Sequence, residues 1–275
     1  MISAEVLALT HEEIANATAD FERLSFDSDH IQHIVKHYPQ VLLTPQDYNH
    51  GIRALERVLI EKHGLDIERF RILVLRYPII LQQNDENLDL LFDALQEVGV
   101  SNEETLFYLL ECPRLGLVDI RYKMREVFLL MDLYYEFSKE EVVEIFRKFP
   151  YLFCVNIYKL EKFLGLFKRY TYTKSELFDM LRVTGPILAF KTSALTGLFN
   201  FCRGLLKMKA KELKELMKIY PELIYQNRAQ VLPKKYWLMR KNSNKSERYL
   251  AAMCKRHPDL MMKSLGSVEG KIQYL

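Results

Sequence analysis

The chain has 275 residues, of which 49% are hydrophobic and only 10 are glycine, and its 39 Lys and Arg nearly balance its 36 Asp and Glu. This is enough apolar material for a large core, whereas so little glycine argues against a sheet-rich fold with many turns. The four cysteines are far apart and form no CxxC pair, which argues against a structural zinc site or a disulfide framework and favours a reducing compartment.

Residues 1–26 precede the first repeated pattern, and we expect them to form a capping or docking segment. The opening MISAEVLALTHEE lacks the basic region and the long apolar core of a secretory signal. Acids come early and the first arginine is Arg23, so it is not an ordinary transit peptide either. We therefore expect an atypical targeting signal or a chain that begins after a processing site. No run approaches the ~18 apolar residues of a membrane span.

From residue 27 onward, proline returns at intervals of 35 to 39 residues, and the residue two positions later is always aliphatic. Proline ends a helix because it removes a hydrogen bond and clashes with the preceding turn. The seven prolines are Pro39, Pro78, Pro113, Pro150, Pro186, Pro221 and Pro258. The aliphatic residues that follow them are Val41, Ile80, Leu115, Leu152, Leu188, Leu223 and Leu260.

Residue types that cap helix N-termini stand about twelve positions before the prolines. Each interval therefore predicts a capped helix of about ten residues, a short apolar turn after the proline, and a second helix of 12–15 residues. Self-similarity near 36 residues is typical of an all-α solenoid, in which neighbouring units share a core. The predicted caps are Asp27, Asp66, Ser101, Ser138, Thr173 and Asn244, with Lys209 as a poor cap in the remaining unit.

The recurring pattern [YF]-P-x-[LIV]-apolar, as in YPIIL, FPYLF and YPELIY, resembles the mitochondrial transcription termination factor (mTERF) family over roughly residues 27–265. The resemblance implies a right-handed solenoid of about seven units, each with two α-helices and a 3₁₀ turn after the proline, stacked into a curved half-ring. It also implies a protein of the mitochondrial matrix that binds double-stranded DNA or RNA, with no enzymatic activity and no cofactor.

The charge changes sign along the chain. Residues 1–155 carry 15 Lys and Arg and 27 Asp and Glu, whereas residues 156–275 carry 24 and 9. We therefore divide the repeat domain, 27–275, into an acidic part, 27–155, and a basic part, 156–275. The loops after the second helices follow this division, because the early ones are neutral or acidic and the later ones, 168–174, 207–211 and 240–245, are basic. Stacking should merge these three basic loops into one positive edge that attracts phosphates.

The candidate nucleic-acid-binding residues lie in the three basic loops. Tyr170 and Tyr172, with Tyr236 and Trp237 nearby, are candidates for stacking on unpaired bases. Lys234, Lys235, Lys255 and Arg256 form a second tier. The candidate phosphate contacts are Lys168, Arg169, Lys174, Lys207, Lys209, Lys211, Arg240, Lys241 and Lys245.

The sequence leaves two functions open. The first is nucleic-acid binding in organellar gene expression, on rRNA in or near the mitochondrial ribosome or on mitochondrial DNA in transcription. The second is a non-catalytic scaffold or accessory subunit of a mitochondrial complex. The acidic half would repel phosphate, so we expect it to bind a protein, with no membrane insertion. His30, His33 and His37 lack a matching carboxylate or cysteine, apart from the cap Asp27, and we interpret them as a helix face, not a metal site.

Overall fold

The computed structural model describes residues 8–43, 51–189, 192–220, 223, 226–242 and 245–257, and every regular element in these ranges is a helix. Short π-helical segments, Glu56–Lys62 and Phe201–Leu205, continue α3 and α11. The α-helices are α1 (His11–Arg23), α2 (Ser28–His37), α3 (Gly51–Leu55), α4 (Ile67–Arg76), α5 (Asp85–Gln96), α6 (Asn102–Glu111), α7 (Ile120–Tyr135), α8 (Lys139–Lys148), α9 (Ile157–Arg169), α10 (Lys174–Thr184), α11 (Thr192–Asn200), α12 (Ala210–Ile219), α13 (Gln226–Asn242) and α14 (Glu247–Arg256).

The first helix of each predicted unit is ten or eleven residues long. The N-cap side chain accepts a backbone hydrogen bond in all of these helices except α12, where Lys209 makes none. The capping boxes predicted at Ser101, Ser138 and Thr173 are confirmed, since each side chain and the glutamate three residues on exchange hydrogen bonds with backbone N–H groups. The last predicted cap is wrong: Asn244 lies outside the described residues, and the Ser246 hydroxyl accepts from the Tyr249 N–H at 3.2 Å. Ser246 stands twelve residues before Pro258, the same interval as the other caps.

A 3₁₀ turn follows the repeating proline, as predicted. The Leu152 N–H donates to the Phe149 carbonyl at 2.9 Å, and the same bond joins Ile80 to Tyr77 at 3.0 Å. The described aliphatic residues two positions after the prolines are all buried, while Leu260 lies outside the described residues. The five described turns are Pro39–Leu43, Pro78–Gln82, Pro113–Leu117, Pro150–Cys154 and Gly185–Ala189.

Gly185 precedes the proline in the turn where the other units carry a larger residue. A Cβ atom at this position would lie 2.7 Å from the Phe149 Cβ, closer than side chains approach one another. Tight packing between consecutive turns therefore explains why this unit reads TGPIL instead of carrying an aromatic residue before Pro186.

The loops after the second helices share a backbone conformation that the sequence patterns did not predict. In six described loops one residue has a positive φ, the next is buried and apolar, and the third stands at the N-cap position of the following helix. The positive φ values are 61° at Ser25, 73° at Gly64, 82° at Gly99, 56° at Glu136, 60° at Thr171 and 54° at Lys207. The buried residues that follow are Phe26, Leu65, Val100, Phe137, Tyr172 and Met208.

The segment before the first proline unit ends in the same kind of loop. Helix α1 packs against the turn Pro39–Leu43 and against α3. Its Asp20 carboxylate accepts from Arg53 at 2.6 Å, and its Arg23 donates to Glu56. Because Ser25 has a positive φ and Phe26 is buried, α1 occupies the place of a second helix in front of the first proline unit.

The chain forms two compact units, Met1–Glu126 and Val127–Leu275, called the N-terminal and C-terminal units below. In the N-terminal unit α2 neighbours α4, and α3 neighbours α5. In the C-terminal unit α8 neighbours α10, and α11 lies between α9 and α13. Within each unit, first helices thus contact first helices and second helices contact second helices, which is the neighbour order of stacked repeats. Among the described helices, none has both the length and the apolar character needed to cross a membrane.

Candidate nucleic-acid interface

The first two basic loops lie at successive steps of the C-terminal unit. Loop 168–174 joins α9 to α10, and loop 207–211 leads into α12. Lys214 of α12 donates to the Thr171 carbonyl at 2.6 Å, which fixes the first loop beside the helix that the second loop begins. In the same way Lys255 of α14 donates to the Lys207 carbonyl at 2.8 Å. The third loop, 240–245, leads into α14 and is described in part.

These lysines belong to a recurring contact, which we call the lysine clamp. In each clamp one lysine ammonium binds two groups of the preceding repeat. These are the carbonyl of the positive-φ residue and the carboxylate of the glutamate three residues after the N-cap. Lys174 binds the Glu136 carbonyl and Glu141, Lys214 binds the Thr171 carbonyl and Glu176, and Lys255 binds the Lys207 carbonyl and Glu212. The clamps join consecutive repeats, so these three cations stabilise the stack and are not free for a ligand.

The carboxylates of the clamps have lowered pKa values. For Glu141 the main cause is the hydrogen bond from Lys174, which favours the ionised form. For Glu212 it is the N–H of Lys209 that donates to the carboxylate, with Lys255 adding to the effect. For Glu176 burial opposes ionisation, but the hydrogen bonds from Lys214 and Thr173 outweigh it and the pKa is lowered.

Lys168 and Lys174, two predicted phosphate contacts, are held by the fold. Lys174 is a clamp residue, and its ammonium also lies 5.7 Å from the Phe137 ring. Lys168 is exposed but donates to the Tyr134 carbonyl at 3.0 Å. A contact between either residue and phosphate would compete with these existing bonds.

The stacking role predicted for Tyr170 and Tyr172 is wrong, because both rings are in the core, with 9% and 7% of their surface exposed. The Tyr170 hydroxyl donates to Asn200 at 3.1 Å, and its ring packs edge-on against Phe199. Tyr172 occupies the buried position between the positive-φ residue and the cap, and burial raises its pKa. Tyr236 and Lys235 are likewise buried, whereas Trp237 is exposed.

The second basic loop presents three exposed lysines, Lys207, Lys209 and Lys211, whose ammonium groups contact no acceptor in the described parts of the chain. Lys209 stands at the cap of α12 and its side chain makes no capping hydrogen bond, although Glu212 accepts from its N–H at 2.5 Å. Lys211 lies in the first turn, where the helix dipole disfavours cations. These lysines thus occupy positions that cost helix stability, by ~1 kcal/mol for the missing cap.

The other predicted cations are exposed and have local contacts only. Arg240 pairs with Glu247 at 3.4 Å, and both side chains are more than half exposed. The ammonium groups of Lys241 and Lys245 lie 5.5 Å from the rings of Trp237 and Tyr249. Arg169, at the end of α9, is exposed and contacts no carboxylate among the described residues.

Further exposed cations lie on the second helices and were not predicted as contacts. Lys159 and Lys162 are on the outward face of α9, opposite its buried stripe of Leu160, Phe163 and Leu164. They have no carboxylate partner within the described ranges. The three- and four-residue spacing of the apolar positions in KLEKFLGLFKRY could have identified these lysines, because it already defines which face of α9 is exposed.

In the N-terminal unit the corresponding cations are neutralised. Arg53 pairs with Asp20, Lys62 with Asp89 at 2.7 Å, and Arg121 with Glu97 at 2.6 Å, each joining one second helix to the next. The two units therefore differ in how their cations are used as well as in net charge.

The three histidines of α2 and its neighbourhood make contacts of their own. His33 Nε2 lies 3.1 Å from the Leu75 carbonyl, His37 Nδ1 lies 2.9 Å from the His33 carbonyl, and His30 lies against its cap Asp27. Within the described part of the chain, no three His, Cys, Asp or Glu side chains are arranged to hold a metal ion. The four cysteines are free thiols.

Comparison with known proteins identifies one family. Residues 52–169, from α3 to the end of α9, match the family model for mTERF. No curated protein matches the chain. An mTERF domain indicates nucleic-acid binding in organellar gene expression and belongs to a helical-repeat family that is generally without enzymatic activity. The proline turn and the capped first helix continue beyond this segment, at Gly185–Ala189 and Ser246. Residues 52–169 therefore form an mTERF domain.

Proposed function

We propose that this protein binds nucleic acid through the C-terminal unit and acts in mitochondrial gene expression, on RNA in or near the ribosome. The observation that supports this most directly is the group of exposed lysines at the start of α12. The ammonium groups of Lys207, Lys209 and Lys211 form no ion pair in the described residues, although Lys209 and Lys211 stand where a cation costs helix stability. A phosphate backbone would supply the missing counter-charge and release bound cations from the nucleic acid.

The contact surface of this proposal differs from the one that the sequence alone suggested. Its phosphate contacts are Arg169, Lys207, Lys209, Lys211 and Lys241, with Lys159 and Lys162 on α9. Lys174, Lys214 and Lys255 stabilise the loops that carry this surface, because each donates a hydrogen bond to a loop carbonyl. The residues of this cationic surface all belong to the C-terminal unit. Its small extent favours a limited contact, as on a structured RNA, over wrapping of a long duplex.

A protein partner for the N-terminal unit is the second part of the proposal. The carboxylates of this unit already form ion pairs with the cations of its second helices, so binding of phosphate is disfavoured there. Exposed Ile72 and Phe107 stand at the same place in α4 and α6, six residues after the caps Asp66 and Ser101. Exposed apolar side chains at equivalent positions of two repeats suit a protein surface. If protein binding were the only function, the protein would be a scaffold that binds no nucleic acid.

Fluorescence anisotropy at low salt tests the proposal, with a labelled RNA hairpin, a DNA duplex and a single strand as probes. We expect binding to at least one probe, with affinity that falls steeply as salt rises. Purification from the native source would then identify the target. Copurifying rRNA or mitochondrial DNA would name the nucleic acid, whereas copurifying protein alone would indicate the scaffold function. Absence of binding to all three probes at low salt would reject nucleic-acid binding and leave the scaffold function.

A further inference from the structure

Two exposed aromatic rings in the C-terminal unit are each accompanied by a lysine four residues away. Trp237, on α13, is 58% exposed, and Lys241 Nζ lies 5.5 Å from its ring centroid. Tyr249, on α14, is 50% exposed, with Lys245 Nζ at 5.5 Å. Large aromatic rings are normally buried for the area they remove from water. These two rings instead leave half or more of their surface exposed.

Lysines lie on both sides of Trp237 along the same helix face. Lys234 precedes it by three residues and Lys241 follows it by four, and residues at these spacings are neighbours on a helix surface. Both lysines are exposed, and the Lys234 ammonium contacts no acceptor in the described ranges. Trp237 thus lies between two lysines whose α-carbons are about 10.5 Å apart along the helix axis.

The N-terminal unit contains a matched site of opposite charge. Phe107 on α6 is also 58% exposed, but its neighbours at four residues before and after are Glu103 and Glu111. Exposure of an aromatic ring therefore occurs in both units, and the flanking cations occur only at the Trp237 site of this pair. Phosphates on both sides of a stacked base would be attracted at Trp237 and repelled at Phe107.

The geometry points to Trp237 as a stacking platform for an unpaired nucleobase, with Lys234 and Lys241 binding the flanking phosphates. This inference rests on the proposed function and deepens it, because it assigns single-stranded nucleic acid, such as an RNA loop, to this part of the surface. Any base offers a face to the ring, so the site tolerates different sequences. A base inside a duplex is stacked on its neighbours and is not accessible to Trp237.

The test uses the full chain, in which Trp237 is the only tryptophan. Its intrinsic fluorescence is recorded while a twelve-nucleotide oligo(dT) strand or a twelve-base-pair DNA duplex is added at low salt. We expect saturable quenching by the single strand and little by the duplex. Trp237→Ala should weaken single-strand binding about tenfold, measured by anisotropy of a labelled strand, with an unchanged salt slope. Trp237→Phe should retain most of the affinity, and Phe107→Ala should have no effect.

The outcomes separate this inference from the proposed function. Single-strand binding without quenching, together with equal affinities of Trp237→Ala and the unaltered protein, would overturn the stacking platform and leave nucleic-acid binding intact. Equal quenching by the duplex would also overturn it. If neither probe binds at low salt, the stacking platform and the proposed function both fail.

Discussion

Single side chains in the proline turns connect the sequence pattern to the core. Leu152 is fully buried two residues after Pro150, and the neighbouring Phe153 stacks on Phe146 with ring centroids 4.6 Å apart. The proline ends the first helix and the turn inserts these side chains between the layers. We therefore expect Pro150 and Leu152 to contribute to stability and not to ligand contact.

Replacing Leu152 by Ala should lower the free energy of unfolding by ~2–5 kcal/mol, because a buried truncation loses apolar burial and leaves a cavity. Equilibrium urea denaturation gives this value. Tyr158→Ala is the control, since its ring is exposed on α9 and its loss should cost less than ~0.5 kcal/mol. A cost for Leu152→Ala below ~1 kcal/mol would contradict the shared core of the repeats.

Glu141 makes stability depend on pH. Its folded pKa is below the ordinary value of 4.5, chiefly because Lys174 donates a hydrogen bond to the carboxylate. The stabilisation is therefore fully present above about pH 4.5 and is lost as the pH falls through the folded pKa. Glu141→Gln should destabilise the protein at pH 7, and the difference from the unaltered chain should shrink at pH 3.

Urea denaturation at the two pH values measures this effect. Glu161→Gln is the control, because Glu161 is exposed on α9 and contacts no cation among the described residues. A difference between Glu141→Gln and the unaltered protein that is equally large at pH 3 and pH 7 would show that the Lys174–Glu141 ion pair is not its source.

The inter-repeat loop is the element that places the basic residues. A positive φ lets the chain leave a second helix, bury one apolar side chain and enter the next cap within three residues. Glycine adopts this conformation at positions 64 and 99, but Ser, Glu, Thr and Lys adopt it elsewhere. Left-handed backbone costs non-glycine residues ~1–2 kcal/mol, and the lysine clamps offset part of this cost at Glu136, Thr171 and Lys207.

Substitutions at two equivalent loop positions should therefore have opposite signs. Gly99→Ala should lower the free energy of unfolding by ~1 kcal/mol through the backbone alone, because a Cβ at this position meets no atom within 4 Å. Thr171→Gly should raise it by ~0.5 kcal/mol, since relief of strain exceeds the added entropy of the unfolded chain. Thermal or urea denaturation of both variants tests this, and a shift of the same sign in both would contradict it.

The caps and turns could be predicted because their residue types are dictated locally: Ser and Thr cap helices, and proline ends them. The left-handed positions could not, since Glu136 and Lys207 are not residue types that mark a positive φ. The same gap explains the error at Tyr172. The basic loop pattern predicts that its tyrosine is exposed. The loop conformation instead directs this side chain into the core, as it does those of Val100 and Met208.

At the scale of the whole molecule, the charge division reflects different uses of lysine and arginine. In the N-terminal unit cations join second helices through carboxylates, as in Arg121–Glu97. In the C-terminal unit one set forms the lysine clamps, and another set, which includes Lys207, Lys209 and Lys211, has no acceptor in the described residues. Net charge alone does not distinguish these two sets of cations. They differ in whether their ammonium groups are available to bind a ligand.

The dependence of nucleic-acid affinity on salt tests this distinction most directly. The plot of log K against log salt is measured for the unaltered chain, for Lys207→Ala with Lys209→Ala and Lys211→Ala, and for Lys214→Met with Lys255→Met. We expect the slope to become shallower by ~2–3 in the first variant, from three lost phosphate contacts, and to change little in the second, where two of the three clamps are removed. An unchanged slope in the first variant, or an equal change in both, would contradict it.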